Sequence, residues 1–270
     1  MSKMVNPILG VFGGSGFYNL ASKARRKKFA TKYGAPSAQL QFATIAGKQV
    51  VFLPRHGERH SLPPHKINYR ANVTAMKQAG VSQVFAPFAC GSLQPEVKPG
   101  DFVVVDQFFD RTTGRQDTFF DGPEVVHVAG GEPYCPRLRQ ACIAAAKKAG
   151  LRVHGKGTAV VVNGPRFSTK AESQWFAGQD WQVVTMTQYP EVVLAREAGV
   201  CYAGVGLVTD YDAGLDGYPN VPAVTARDVV KVFRENNEKL AKLLELLLDE
   251  PALGKGGCGC AKAVEEGRIR

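Results

Sequence analysis

Apolar runs bounded by glycine or proline recur along the whole chain, and helix-like patterns fall between them. Ile8–Gly13 and Cys201–Val208 are continuous and apolar, as expected of strands buried on both faces. Leu40–Ile45 and Gln49–Leu53 predict a hairpin turned at Gly47-Lys48. Val84–Ala89, Phe102–Val105, Thr158–Val162 and a short run from Val183 add further strands. Helices are predicted over Arg70–Ala79 (closed by Gly80), over Pro136–Gly150, from near Thr169, and between Pro190 and Gly199. Thr225 is placed to cap a last helix running to about Asp249, where Pro251 ends it. This alternation is an α/β layout. No repeat or linker divides it, so residues 1–250 read as one domain and 251–270 as a mobile, charged tail.

The polar residues that break the pattern sit at strand ends, where open α/β sheets bind small molecules. Gly13-Gly14-Ser15-Gly16 follows the first strand and can cradle an anion through backbone N–H groups and the serine hydroxyl, although a tight turn needs the same glycines. Pro54-Arg55-His56-Gly57 ends another strand. Arginine grips a phosphate through two parallel bonds and a histidine donates a third. Cys90-Gly91-Ser92 again offers backbone donors, and Asn163–Ser168 brings Phe167 to where it can stack on a planar ring or simply join the core. Asp210 and Asp212 flank Tyr211 on one ledge after the longest strand. Two close, partly desolvated carboxyls raise each other's pKa, which suits a proton donor near neutral pH; a solvated turn is the plainer reading.

Composition narrows the classes. The 270 residues hold 44% apolar content, enough for a sizeable core, and no run approaches a membrane span or a signal peptide, so a cytoplasmic protein is expected. The formal charge is +10. Its one local cluster, Arg25–Lys28, reads as a solvated turn rather than a nucleic-acid surface, while the net field draws anionic substrates. His56, His60 and His65 lack the spacing of a metal site. Cys90 and Cys201 read as packed thiols. Cys258 and Cys260 form a C-x-C pair with no second pair at metal spacing, so zinc is not expected there; a redox pair or plain thiols remain.

Taken together, GGSG (13–16), RHG (55–57), ACGSL (89–93), DQFFDRT (106–112), EPYCP (132–136), GPRFS (164–168), MT (186–187), PEVVLAREAG (190–199) and TDYD (209–212) resemble one family over about residues 8–245. The chain is similar to 5′-methylthioadenosine phosphorylases, within the trimeric purine nucleoside phosphorylase superfamily. The resemblance implies a single α/β domain whose mixed, partly closed central sheet is flanked by helices. It implies a pentosyltransferase of purine and methionine salvage that uses inorganic phosphate as co-substrate, with no cofactor or metal. The partners implied are a small-molecule nucleoside and further copies of the chain, as a trimer or dimer of trimers.

The same resemblance assigns phosphate binding to Ser15, Arg55, His56, the backbone at Ala89, and Thr187, with Phe88 where the family has a threonine. Met186 would lie against the ribose, and Phe167 and Ser168 beside the base. Asp210 and Asp212 would read the purine edge, Asp210 as proton donor and Asp212 as acceptor for a 6-amino group. Ala226 and Val229 would line the 5′-substituent pocket, to which a neighbouring subunit lends His127; on its own, His127 reads as a structural histidine. The alternatives are a phosphorylase of the same superfamily acting on 6-oxopurine nucleosides or methylthioinosine and, more remotely, a basic nucleic-acid-binding module.

Overall fold

The computed structural model describes residues 8–13, 24–215, 221, 223–254 and 256–269. Strand β1 (Ile8–Gly13) lies between β4 (Lys48–Pro54) and β5 (Val81–Ser92), parallel to both. The hairpin of β3 (Leu40–Ile45) with β4 turns at Ala46-Gly47, one residue earlier than expected. Both turn residues have positive φ, +47° and +73°, the geometry that matches strand twist in a two-residue hairpin. Arg25–Lys27, read from sequence as a turn, is instead an exposed edge strand (β2) on β3. Three consecutive cations suit an edge, because like charges repel a second sheet.

The sheet continues through β6 (Phe102–Val104), β7 (Gln107–Arg111), β8 (Val153–His154), β9 (Thr158–Val162), β10 (Val183–Thr185) and β11 (Cys201–Asp210). Its main path runs β2-β3-β4-β1-β5-β10-β9-β7. The long β5 divides its edge: Ser92 and Gly91 pair antiparallel with β10, whereas Gln83–Gly91 pair parallel with β11. β11 in turn pairs with β6. That branching gives the mixed, partly closed sheet.

Helices cover both faces. On one, α1 (Tyr69–Gln78) and α4 (Gln188–Glu197) bury Val73, Met76, Val192 and Leu194 against Phe12, Val51 and Val84. On the other, α2 (Pro136–Lys148) and α6 (Asn237–Leu248) bury Leu138, Ala145, Leu240 and Leu244 against Val11, Val205 and Leu207. The capping box of α3 (Lys170–Ala177) has Glu172 accepting from Thr169 N at 2.7 Å, so this helix starts where expected. In α4, Tyr189 is non-helical, and the continuous helix runs from Pro190, also as expected.

Further expectations fail. The last helix is two helices, α5 (Ala226–Glu235) and α6, because Asn236 leaves helical geometry and turns its amide back onto the Val232 carbonyl at 2.8 Å. The presumed mobile tail is folded: turns at Pro251–Gly254 and Gly259–Lys262 and the short α7 (Ala263–Gly267) bury Leu253, Cys260 and Ala263. Its end hooks back, with His127 N donating to Gly267 O at 2.8 Å and Arg268 pairing with Glu124. Cys258 and Cys260 thereby meet Cys135 and Cys201, all four sulfurs within 4.8 Å of one another. The spacing argument against a metal-capable thiol set is overturned. Two of the four arrive from a helix start and a strand start far away in the chain.

Candidate active site

The carboxyl ends of β4, β5, β10 and β11 open into one cavity of about 430 Å³. Arg55, His56, Phe88, Ala89, Phe167, Ser168, Met186, Thr187, Asp210, Asp212, Ala226 and Val229 all line it. Of the residues singled out from sequence, two are not there. Ser15 lies outside the described residues, although Arg55 N bonds to Gly13 O and so places residue 55 beside the end of β1. His127 is exposed on the 112–135 connection and does not line this chain's own cavity.

Arg55 is only 2% exposed and is held by a partner that the sequence reading missed. Glu191, 0% exposed, accepts from Arg55 Nε and Nη2, both at 2.7 Å, and takes a third bond from Tyr202 Oη at 2.6 Å. Arg55 Nη1 donates to the Pro87 carbonyl. A guanidinium has five N–H groups, so two stay uncommitted. Nothing in the sequence distinguishes Glu191 from an ordinary helix glutamate; only the fully apolar neighbours Pro190, Val192 and Val193 hint at its burial. Arg115, also missed, clamps the cavity wall by donating to the carbonyls of Asn163 and Met186 at 3.0 and 2.9 Å.

His56 Nδ1 lies 2.9 Å from Leu62 O, and its ring stacks on His60 at 4.3 Å. Burial, helped by the neighbouring Arg55 cation, lowers its pKa to about 4. A neutral ring that donates through Nδ1 leaves Nε2 as an acceptor. The donor role expected of this histidine therefore requires a proton that its ring does not hold at neutral pH.

The acidic ledge is made by a bulge. The β11–β5 register shifts between Val208 and Asp210, so Thr209 is the extra residue and Asp210 turns at the strand end. Asp210 Oδ1 accepts from Asp212 N at 2.7 Å, and Oδ2 lies 2.6 Å from Thr209 Oγ1, which is also 3.2 Å from Cys90 O. The Asp210 pKa rises to about 6, as expected, but for a different leading reason: burial contributes most, and the Asp212 charge is a lesser cause. Asp212 is 2% exposed at a φ of +48°, and burial raises its carboxyl as well. Among the described residues its Oδ2 and Ser168 Oγ make no hydrogen bond of good geometry, while Ser168 and Ser173 lie close enough to the carboxylate to oppose part of that rise. A buried polar atom left without such a bond costs about 1–3 kcal/mol unless something binds it. Gly91 leaves the room: a Cβ there would lie 2.9 Å from Asp210 Oδ1 and 3.1 Å from Asp212 Cα.

A branched mixed sheet that brings an anchored arginine and two aspartates, one half-buried and one buried, to the same cavity defines a nucleoside-type phosphorylase. The sequence profile of the phosphorylase superfamily matches residues 8–249, and the chain belongs to that family. Among curated relatives, S-methyl-5'-thioadenosine phosphorylase of Thermofilum pendens is 46% identical, covering 97% of this chain and 98% of its own. The purine nucleoside phosphorylase of Streptomyces coelicolor is 44% identical, covering 98% and 96%. Among solved structures, methylthioadenosine phosphorylase from Schistosoma mansoni in complex with adenine superposes with a TM-score of 0.88 at 36% identity, covering 97% of this chain and 99% of that one.

Proposed function

We propose that this chain cleaves 5′-methylthioadenosine by phosphorolysis, releasing adenine and 5-methylthioribose 1-phosphate. The observation that carries the reading is the buried carboxyl group of Asp212, an acceptor that lines the cavity. A 6-amino group donates to it, whereas a 6-oxo group meets it acceptor to acceptor. Sites that leave such an atom unmatched discriminate by something on the order of 10⁴.

Arg55, His56, the backbone at Ala89, and Thr187 hold phosphate, with Ser15 as a further donor. The dianion stabilises positive charge developing on the sugar and attacks C1′ with inversion. As the C1′–N9 bond breaks, its electron pair moves onto the purine, and protonated Asp210 delivers a proton to N7. Neutral His56 accepts the P–OH of monohydrogen phosphate through Nε2. Met186 packs on the ribose, Phe167 and Ser168 flank the base, and Ala226 and Val229 receive the methylthio group. None of these steps calls for an organic cofactor or a catalytic metal. The chain works as a trimer in the cytoplasm, with His127 of one subunit completing the next. Phe167 at 38% and Trp175 at 51% exposure, together with Phe109, give apolar surface for that assembly.

The test is base release from methylthioadenosine, adenosine and inosine, each with and without phosphate. Adenine release that needs phosphate and is fastest from methylthioadenosine is the expected result. Preferential hypoxanthine release from inosine would establish a 6-oxopurine nucleoside phosphorylase instead.

A further inference from the structure

We propose that Cys135, Cys201, Cys258 and Cys260 form a structural zinc site that staples the C-terminal segment to the domain. The four thiols come from three distant points: the residue before α2, the first residue of β11, and the C-x-C turn near the chain's end. Their sulfurs all lie within 4.8 Å of one another, the Cys201–Cys258 pair at 3.3 Å. A tetrahedral ion with four Zn–S bonds of about 2.3 Å needs sulfurs about 3.8 Å apart. Shifts of a few tenths of an ångström to about 1 Å in four short side chains close that gap. Thiols that serve only as small apolar filler have no reason to converge; Cys90 packs in the other core cluster, and Cys142, close enough to Cys135 to feel its charge, is not one of the four. An all-sulfur, tetrahedral donor set selects zinc over the oxygen-seeking cations.

The surroundings suit a bound dianion. Zinc displaces one proton from each of the four thiols to solvent, and the resulting tetrathiolate complex carries a net charge of −2 with no change of oxidation state. Arg137 Nη2 lies 3.4 Å from Cys201 Sγ, and the guanidinium is fixed by Gln83 Oε1 and the Ala252 carbonyl. Gln83 in turn donates to the Leu253 carbonyl at 2.7 Å, so one network supports the cysteines and the start of the hook. Cys135 sits at the N-cap of α2, where the helix dipole favours a thiolate. Three of the cysteines are buried, while Cys258 is partly exposed and gives the ion access. A filled site would hold the hook against residues 125–128, the segment that carries His127.

The test is metal content of the full chain, purified anaerobically without chelator, with X-ray absorption at the zinc edge. One zinc per chain with four sulfur neighbours is expected, including when zinc is added to reduced protein. Cys258→Ser with Cys260→Ser should lose the metal, and Cys142→Ser should keep it. Cobalt in place of zinc should show the absorption of a tetrahedral tetrathiolate. A reduced chain that takes up neither ion stoichiometrically overturns the proposal. So does a freshly isolated, metal-free chain whose mass shows disulfides among the four. Because these readouts are of metal and not turnover, they stand or fall separately from the phosphorolysis reading.

Discussion

At the residue scale the acidic ledge makes two predictions. In the unfolded chain Asp210 titrates near 3.8, and in the folded chain near 6. Between those values the folded state holds a proton that the unfolded state has released. This carboxyl therefore adds stability at low pH that is lost as pH rises from about 4 through 6. Asp210→Asn removes that slope, and thermal melts between pH 4 and pH 7.5 should show the variant gaining on the parent progressively, more at pH 7.5 than at pH 5. The same variant cannot protonate N7, so kcat should fall by about 10²–10⁴ while KM changes little. An unchanged kcat would refute the donor role. Asp212→Asn is a cleaner probe of specificity. Asn tolerates the left-handed φ of +48°, so the ledge should keep its shape. It exchanges an acceptor for a donor, and hypoxanthine release from inosine should rise relative to adenine release from adenosine. A ratio that stays put would mean the base edge is read elsewhere.

At the scale of elements, the ledge exists because β5 and β11 approach closely at one glycine. Gly91→Ala puts a methyl against a carboxylate and a backbone atom at 2.9–3.1 Å, and overpacking of this kind costs about 1–3 kcal/mol. Turnover should drop well beyond what the lower Tm explains, because the group displaced is Asp210 itself; full activity with a lowered Tm would uncouple the strand contact from catalysis. Local pattern made much of this legible. Strand and helix identities follow from apolar runs and from Pro190, Thr169 and Gly80, which act over a few residues. Much of the cavity lining was legible too: Arg55, His56, Asp210 and Asp212 stand out at strand ends, whereas Met186, Thr187, Ala226 and Val229 came only with the family resemblance. What escaped is non-local. Glu191 is a buried counter-ion set 136 residues from Arg55, and Arg115 reaches the cavity wall from a long connection. The thiol cluster joins positions 135, 201, 258 and 260, and no spacing rule spans such a gap. The break at Asn236 was missed because a continuous helical pattern carried through two adjacent asparagines. Glu191 is testable as a positioning residue. Glu191→Gln weakens both bonds to Arg55, and the KM for phosphate should rise more than the KM for nucleoside; parallel changes in the two would assign it a purely structural role.

For the whole molecule, the net charge of +10 draws phosphate toward the surface, but the decisive question is whether one chain holds a complete site. His127 is exposed and absent from its own cavity lining, so a role at the 5′-substituent requires a neighbour. Subunit mixing tests this directly. Let His127→Ala lower kcat/KM for methylthioadenosine by up to about tenfold, the value of one lost hydrogen bond, and let Asp210→Asn abolish turnover. In a cyclic assembly each chain lends the residue to the next. Random reassociation of equal amounts of the two variants then gives about a quarter of the sites an intact Asp210 and a neighbour's intact His127. The mixture's kcat/KM at low substrate should accordingly exceed the average of the two parents measured apart. If His127 acted within its own chain, or not at all, no mixed assembly would contain a restored site, and the mixture would match that average at every ratio of the two.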